Sequence, residues 1–311
     1  MSFELTILGC NSAIPTNHRK PTAQLLNVAE RFFLIDCGEG TQLQLRKYKI
    51  RMQNIQNIFI SHLHGDHYFG LIGFISTMHL LGRVKELNIY APAELKEIIY
   101  IQLLASKTEL RFPLFFHDFG FDEPELLMEN DDLTVHTIPL SHSLPCCGFL
   151  FKEKNKQRRM RKDKIEEFKI PIEEVPNIKA GGDYLLPNGK LISHVELTKP
   201  AQLTRSFAFC SDTSYNENII PQIKGVDMLY HEATFLDELK ERARQTMHST
   251  AKEAATIAKK ANVGKLIIGH YSQRYFDLDP LLNEAKVIFP ETYLAIEGKS
   301  FDVKREYGSD S

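Results

Sequence analysis

At 311 residues the chain has room for one large domain or two small ones, and its 43% apolar content is enough for a substantial core. A net charge of −2 excludes a uniformly basic surface, so nucleic-acid binding would have to come from a local patch. The five cysteines, Cys10, Cys37, Cys146, Cys147 and Cys210, form no C-x-x-C pair, which argues against a disulfide framework and a thiolate metal site. The first residues lack the pattern of a signal peptide, and no run is long enough to span a membrane. A cytoplasmic location is expected.

Phe3 to Gly9 reads as a strand, followed by a polar loop from Asn11 to Pro21. Ala23 to Val28 and Phe32 to Asp36 have the pattern of a hairpin. Thr41 is placed to cap a helix running to about Tyr48. Ile58 to Ser61 is a buried strand that leads into His62-Leu63-His64-Gly65-Asp66-His67. Tyr68 to Leu81 has helical spacing and stops at Gly82. Leu87 to Ala91, Leu114 to Phe116, Leu133 to Leu140 and Gly148 to Phe151 read as strands, with a helix from Pro92 to about Ala105. Lys152 to Lys190 is strongly charged and shows little apolar periodicity. Ser206 to Cys210, Asp227 to Tyr230, Lys265 to Gly269 and Tyr293 to Ile296 are strands again. Ser249-Thr250 starts a helix with Glu253 placed for a capping box, and Asp279 to Phe289 is a last helix. This order predicts an α/β fold of two sheets packed face to face, with helices outside.

The loop from His62 to His67 carries three histidines and an aspartate behind a buried strand. His62 and His64, two apart, are expected on one side. Neutral imidazole with carboxylate suits zinc. Asp36, His62, His142, Asp212, Glu232 and His270 each fall at or just after a strand end, where a sheet fixes the backbone and loops supply chemistry. Alone, His142 reads as a solvated turn residue, Asp212 as a helix N-cap and His270 as a satisfied strand-end histidine. Beside the first loop they complete two sets. His62, His64 and His142 make one, Asp66, His67 and His270 the other, and Asp212 can bridge them. Two such zinc ions can activate a hydroxide and neutralise a phosphate.

These residues resemble the metallo-β-lactamase superfamily, and more closely the short-form ribonuclease Z family of tRNA 3′-processing endoribonucleases. The resemblance rests on Ser12-Ala13-Ile14-Pro15, Ile35 to Gln42, Ser61 to Gly70 and Ser211-Asp212-Thr213. It rests further on His231-Glu232-Ala233-Thr234, His248-Ser249-Thr250 and Gly269-His270-Tyr271-Ser272-Gln273-Arg274-Tyr275. It implies a four-layer αββα fold with two mixed sheets, two zinc ions per chain, and precursor tRNA as the partner of a homodimer, with no nucleotide cofactor and no membrane. It implies ligands at His62, His64, His142 and Asp212 for one metal, and Asp66, His67, Asp212 and His270 for the other. Asp66 would orient or deprotonate the attacking water, and Glu232 and His248 would act together near the leaving 3′-oxygen. The family's first loop has Pro-x-Lys-x-Arg-Asn, whereas here it reads Pro15-Thr16-Asn17-His18-Arg19-Lys20.

The resemblance also implies one hydrolase domain over 1–311, with an arm inserted at about 152–190. The family's arm carries Gly-Pro motifs. Here Lys152, Lys154, Lys156, Arg158, Arg159, Arg161, Lys162 and Lys164 stand against only Glu153 and Asp163. That run suits sequence-independent phosphate contacts. Arg19, Arg158, Arg159, Arg161 and Arg274 are the candidate RNA-binding residues. The expected function is removal of the 3′ trailer from precursor tRNA. A zinc phosphodiesterase acting on small molecules or other RNA is the alternative, and a non-catalytic RNA-binding subunit would need degenerate metal ligands.

Overall fold

Strand β1 (Phe3–Gly9) buries Phe3, Leu5 and Ile7 in a period of two, the spacing that puts alternate side chains on one face. The computed structural model describes residues 2–154, 156–201 and 203–303, so Asn155 of the basic run and 304–311 of the expected domain lie outside the described residues. The chain divides into two compact units. One takes the described residues of 1–152 and 206–304, the other those of 153–205.

In the first unit β1 pairs antiparallel with β2 (Ala23–Val28), which pairs with β3 (Arg31–Ile35). β4 (Ile55–Phe59), β5 (Leu87–Tyr90) and β6 (Leu114–His117) continue the sheet in parallel. Parallel neighbours need crossovers. Helices Thr41–Lys47, Leu71–Leu80 and Glu94–Ala105 lie within them, and their apolar side chains, including Leu45, Phe74, Met78 and Ile99, join one buried cluster with Leu34, Ile58 and Ile89. Thr41 does not cap its helix. Gly40, in a left-handed conformation, occupies the cap position, and the Thr41 hydroxyl donates to the Gly38 carbonyl. The expected helix from Tyr68 to Leu81 is divided into Gly65–Tyr68 and Leu71–Leu80.

The second sheet begins with β7 (Leu126–Glu129), β8 (Leu133–Pro139) and β9 (Cys147–Glu153). β7 escapes the sequence pattern because none of its four residues is fully buried.

From Glu153 onward the charged run belongs to the second unit, and its described residues form secondary structure. β10 (Arg159–Met160) pairs with β13 (Thr198–Lys199), and β11 (Tyr184–Leu185) with β12 (Leu191–Ile192). Ile170, Ile178, Tyr184, Ile192 and Leu197 form a small core of their own. These apolar residues are too widely spaced to register as a period. The Arg205 guanidinium donates to both oxygens of Glu153 in a buried bidentate pair, at 3.1 and 2.8 Å.

β14 (Ser206–Cys210), β15 (Met228–Glu232), β16 (Leu266–Gly269) and β17 (Thr292–Leu294) complete the second sheet, and β18 (Ser300–Asp302) returns to pair with β1. Among the described residues the sheets run β18-β1-β2-β3-β4-β5-β6 and β17-β16-β15-β14-β9-β8-β7. Their inner faces meet through aromatic rings. Phe33 lies 5.8 Å from Phe151 and Phe59 5.4 Å from Phe149, centroid to centroid. The capping box forms as expected: the Thr250 side chain accepts from Glu253 N–H, and Glu253 accepts from Thr250 N–H.

Candidate active site

β4 ends at Phe59, so His62 and His64 lie in the loop beyond it, where strand alternation does not apply. They still converge, with His62 Nε2 3.0 Å from His64 Nδ1. His142 Nε2, from the loop after β8, approaches the same His64 atom at 3.1 Å. Asp212, just past β14, brings Oδ2 to 3.8 Å from His62 Nε2 and 3.7 Å from His142 Nε2. Its other oxygen, Oδ1, faces a second group: His67 Nε2 at 3.4 Å and His270 Nε2 at 3.1 Å. Asp66 Oδ2 closes that group at 3.5 Å from His67 and 3.4 Å from His270. All seven candidate ligands are thus brought together, in two sets that share Asp212.

Supporting contacts fix which nitrogen two of the rings present. His142 Nδ1 donates to the Met247 carbonyl at 2.9 Å, leaving Nε2 with a lone pair toward the cluster. Asp36 Oδ2 holds His67 Nδ1 at 2.7 Å, and Asp36 also accepts from Ser61 N–H and its hydroxyl. Asp36 is fully buried at φ 55°, a left-handed conformation that Asp tolerates better than most residues. Sequence reasoning placed Asp36 at a strand end without giving it a role. Its signal was the position. Its pairing with His67, eight residues beyond the end of β4, was not visible.

The described residues test whether a cation belongs here. His67 Nε2 is buried and has no hydrogen-bond partner. Burial alone would lower the His67 pKa, but the Asp212, Asp66 and Asp36 carboxylates outweigh it and push it well up. That field favours a positive charge at this point. His62 is driven the other way, chiefly by its burial, so it stays neutral and able to coordinate. Imidazole lone pairs and carboxylate oxygens whose ligand atoms lie within 4.8 Å of one another in each group suit a divalent metal.

Beside the ligand sets lies a second arrangement. Glu232, at the end of β15, is fully buried. Its Oε1 accepts from Thr213 N–H at 3.0 Å and from His248 Nδ1 at 2.7 Å, and its Oε2 from Thr234 N–H and hydroxyl at 3.1 and 2.7 Å. Burial pushes the His248 imidazole down, but the adjacent Glu232 charge and hydrogen bond, with Asp212 and Asp66, raise it to about 9. His248 faces His142 and His270, with ring centroids 5.1 and 5.4 Å away.

The site opens into a cavity of about 520 Å³ whose walls include Asp66, His142, Asp212, His248 and His270. Arg274 lies on this wall, its guanidinium 5.1 Å from the centre of the Phe235 ring. Arg242 and Phe69 also line it, and sequence reasoning missed both. Arg19 is turned to a structural task. Its Nε donates to Asn11 and its Nη2 to the Tyr275 carbonyl, tying the first loop to the loop after His270. In the second unit Arg158 donates to Thr198 Oγ1 and Arg161 pairs with Asp163, while Arg159 is exposed.

A family model described as "Anti-Pycsar protein Apyc1" matches residues 3–164, a span that ends before Asp212, Glu232, His248 and His270. Relatives match much further. "Ribonuclease Z" of Cytophaga hutchinsonii is 50% identical over 304 residues, 97% of each chain. "Ribonuclease Z" of Bacteroides thetaiotaomicron is 48% identical over 295 residues, 95% of this chain and 93% of that one. The chain belongs to the ribonuclease Z family. Among solved structures, human tRNase Z, short form, superposes with a TM-score of 0.72 at 27% identity, covering 97% of this chain and 99% of that one. The metallo-β-lactamase fold protein YhfI from Bacillus subtilis, at 20% identity and a TM-score of 0.68, shares the fold. The αββα sandwich expected for ribonuclease Z members is therefore the fold of this chain.

Proposed function

We propose that this chain is an endoribonuclease that removes the 3′ trailer from precursor tRNA, leaving a 3′-hydroxyl on the tRNA and a 5′-phosphate on the trailer. The observation that carries this is the match to relatives named ribonuclease Z at 43–50% identity over nearly their whole length. A small-molecule phosphodiesterase would need only the ligand sets and would leave the basic run without a purpose.

In this reading His62, His64, His142 and Asp212 would hold one zinc ion, and Asp66, His67, Asp212 and His270 a second. Bound there, the ions would supply Lewis-acid charge for the phosphate and lower the pKa of a water. Asp66, whose Oδ2 is fixed by Ala13 N–H at 2.7 Å, would orient the attacking water and take its proton as the water oxygen bonds to phosphorus. The bond from phosphorus to the ribose 3′-oxygen breaks, and His248 gives its Nε2 proton to that oxygen. Glu232 keeps the proton on Nδ1 and stabilises the charged ring. A nucleotide alkoxide leaves poorly without a proton, so this donor is worth roughly 10²–10⁴-fold.

The reading extends to a homodimer in the cytoplasm. No helix among the described residues is long and apolar enough to cross a membrane. Leu80, Leu81, Val84, Ile101 and Leu104 are exposed apolar residues, and they support a partner surface. The deciding experiment incubates purified protein with a precursor tRNA bearing a 3′ trailer and maps both new ends. Hydrolysis of simple phosphodiesters with no trailer cleavage would favour the small-molecule alternative.

A further inference from the structure

Phe69 is 62% exposed although it follows directly on the loop that supplies His62, His64, Asp66 and His67, and it lines the same cavity as Asp66 and His248. A large aromatic ring left open beside a polar reaction site does not serve the core. Its seat is specific. A Cβ at Gly65 would fall 2.2 Å from a carbon of the Phe69 ring, so only glycine lets the ring lie against the start of the short helix Gly65–Tyr68 that it follows. Tyr68 adds an edge contact, with centroids 5.0 Å apart at 71°. The ring is therefore held from behind. The same cavity carries Arg242, which is exposed and whose guanidinium has no partner among the described residues. An open aromatic face in company with a free cation is the combination that takes single-stranded nucleic acid without reading its sequence.

We propose that Phe69 is a stacking platform for the nucleobase next to the scissile phosphate. The inference rests on the ribonuclease reading and adds a residue that grips substrate. Stacking there fixes one flanking nucleotide and so sets which phosphate lies against Asp66 and His248.

The test compares wild type, Phe69→Leu and Phe69→Tyr on three RNAs: an intact precursor tRNA, and the same RNA with an abasic nucleotide immediately 5′ or 3′ of the cleavage point. Metal content, measured on each protein, separates a lost stack from a collapsed loop. Phe69→Leu is expected to lower kcat/KM on intact RNA by about 5- to 100-fold, the effect of losing one base–aromatic stack, while Phe69→Tyr keeps most of it. On one of the two abasic RNAs the wild type should fall to the level of Phe69→Leu, and the variant should lose nothing more. An equal loss by Phe69→Leu on all three RNAs, or no loss on the intact one, overturns the platform. Failure of the wild type to cut intact RNA overturns the ribonuclease reading itself, a result recognisable before any variant is made.

Discussion

Glu232 Oε1 lies 2.7 Å from His248 Nδ1, and the carboxylate's other contacts are to Thr213 and Thr234. The carboxylate is saturated with donors and cannot turn away, so the imidazole it holds has one nitrogen committed and one free. Removing the ring should leave metal content unchanged. His248→Ala is expected to slow cleavage of precursor tRNA roughly 10²–10⁴-fold. An activated aryl phosphodiester, whose phenolate needs no proton, should suffer much less. Equal slowing of both substrates at full metal content would remove His248 from the role of acid.

The same pair predicts a pH effect. A pKa raised to about 9 keeps His248 in its acid form through neutrality and loses it as pH climbs past that value. Bound cations would cancel the share contributed by Asp66 and Asp212, leaving Glu232 as the main support. Glu232→Gln should therefore move the alkaline limb of the cleavage profile down toward the ordinary imidazole value of about 6.5. The linked stability has the same sign: full below about 6.5 and lost as pH rises through the folded value. A pH–rate profile whose limb does not move in Glu232→Gln would break the assignment.

Asp212 gives one oxygen to each ligand set, so under the proposed two-metal reading Asp212→Ala should disturb both metals together. Asp36→Ala leaves every ligand in place but frees the His67 ring, and should weaken metal binding by about 10–100-fold. Metal titration of the two variants gives the comparison. Two tightly held ions in Asp212→Ala, with normal activity, would rule out the bridge.

In the second unit Arg161 and Lys164 are already paired, with Asp163 and Glu167, whereas Arg159 and Lys162 are exposed. The double variant Arg159→Ala, Lys162→Ala should weaken precursor binding and lower the salt slope by about two. Hydrolysis of a small phosphodiester should be untouched. A slope that stays the same would make these charges a solvated face.

Thr250→Ala removes the hydroxyl that accepts Glu253 N–H at the start of helix Ala251–Ala261. The cost should be about 1 kcal/mol, read as a lower denaturation midpoint with an unchanged denaturant slope.

The ligand loop was legible because histidines and an aspartate crowd one short stretch after a buried strand. The capping box at Thr250 was legible because both of its members are local. Thr41 misled because a hydroxyl before an apolar run reads the same whether it caps a helix or bonds inside its first turn. The small core around Ile178 and Tyr184 was hidden by the charges between its members. Phe69 and Arg242 were out of reach for another reason: exposure beside a site is a property of the fold, and nothing in Tyr68-Phe69-Gly70 marks the ring as open.

The ligand atoms come from both halves of the sandwich. His62, His64, Asp66 and His67 follow β4 of one sheet, while His142, Asp212 and His270 follow β8, β14 and β16 of the other. Any metal seated among them would act as a removable rivet between the layers. Since an unfolded chain cannot bring these donors together, a bound metal would lend its binding free energy to the closed sandwich. Chelation would then do more than silence the enzyme: it would loosen the seam on which every strand-end residue of the site depends, and melting temperature would fall along with turnover.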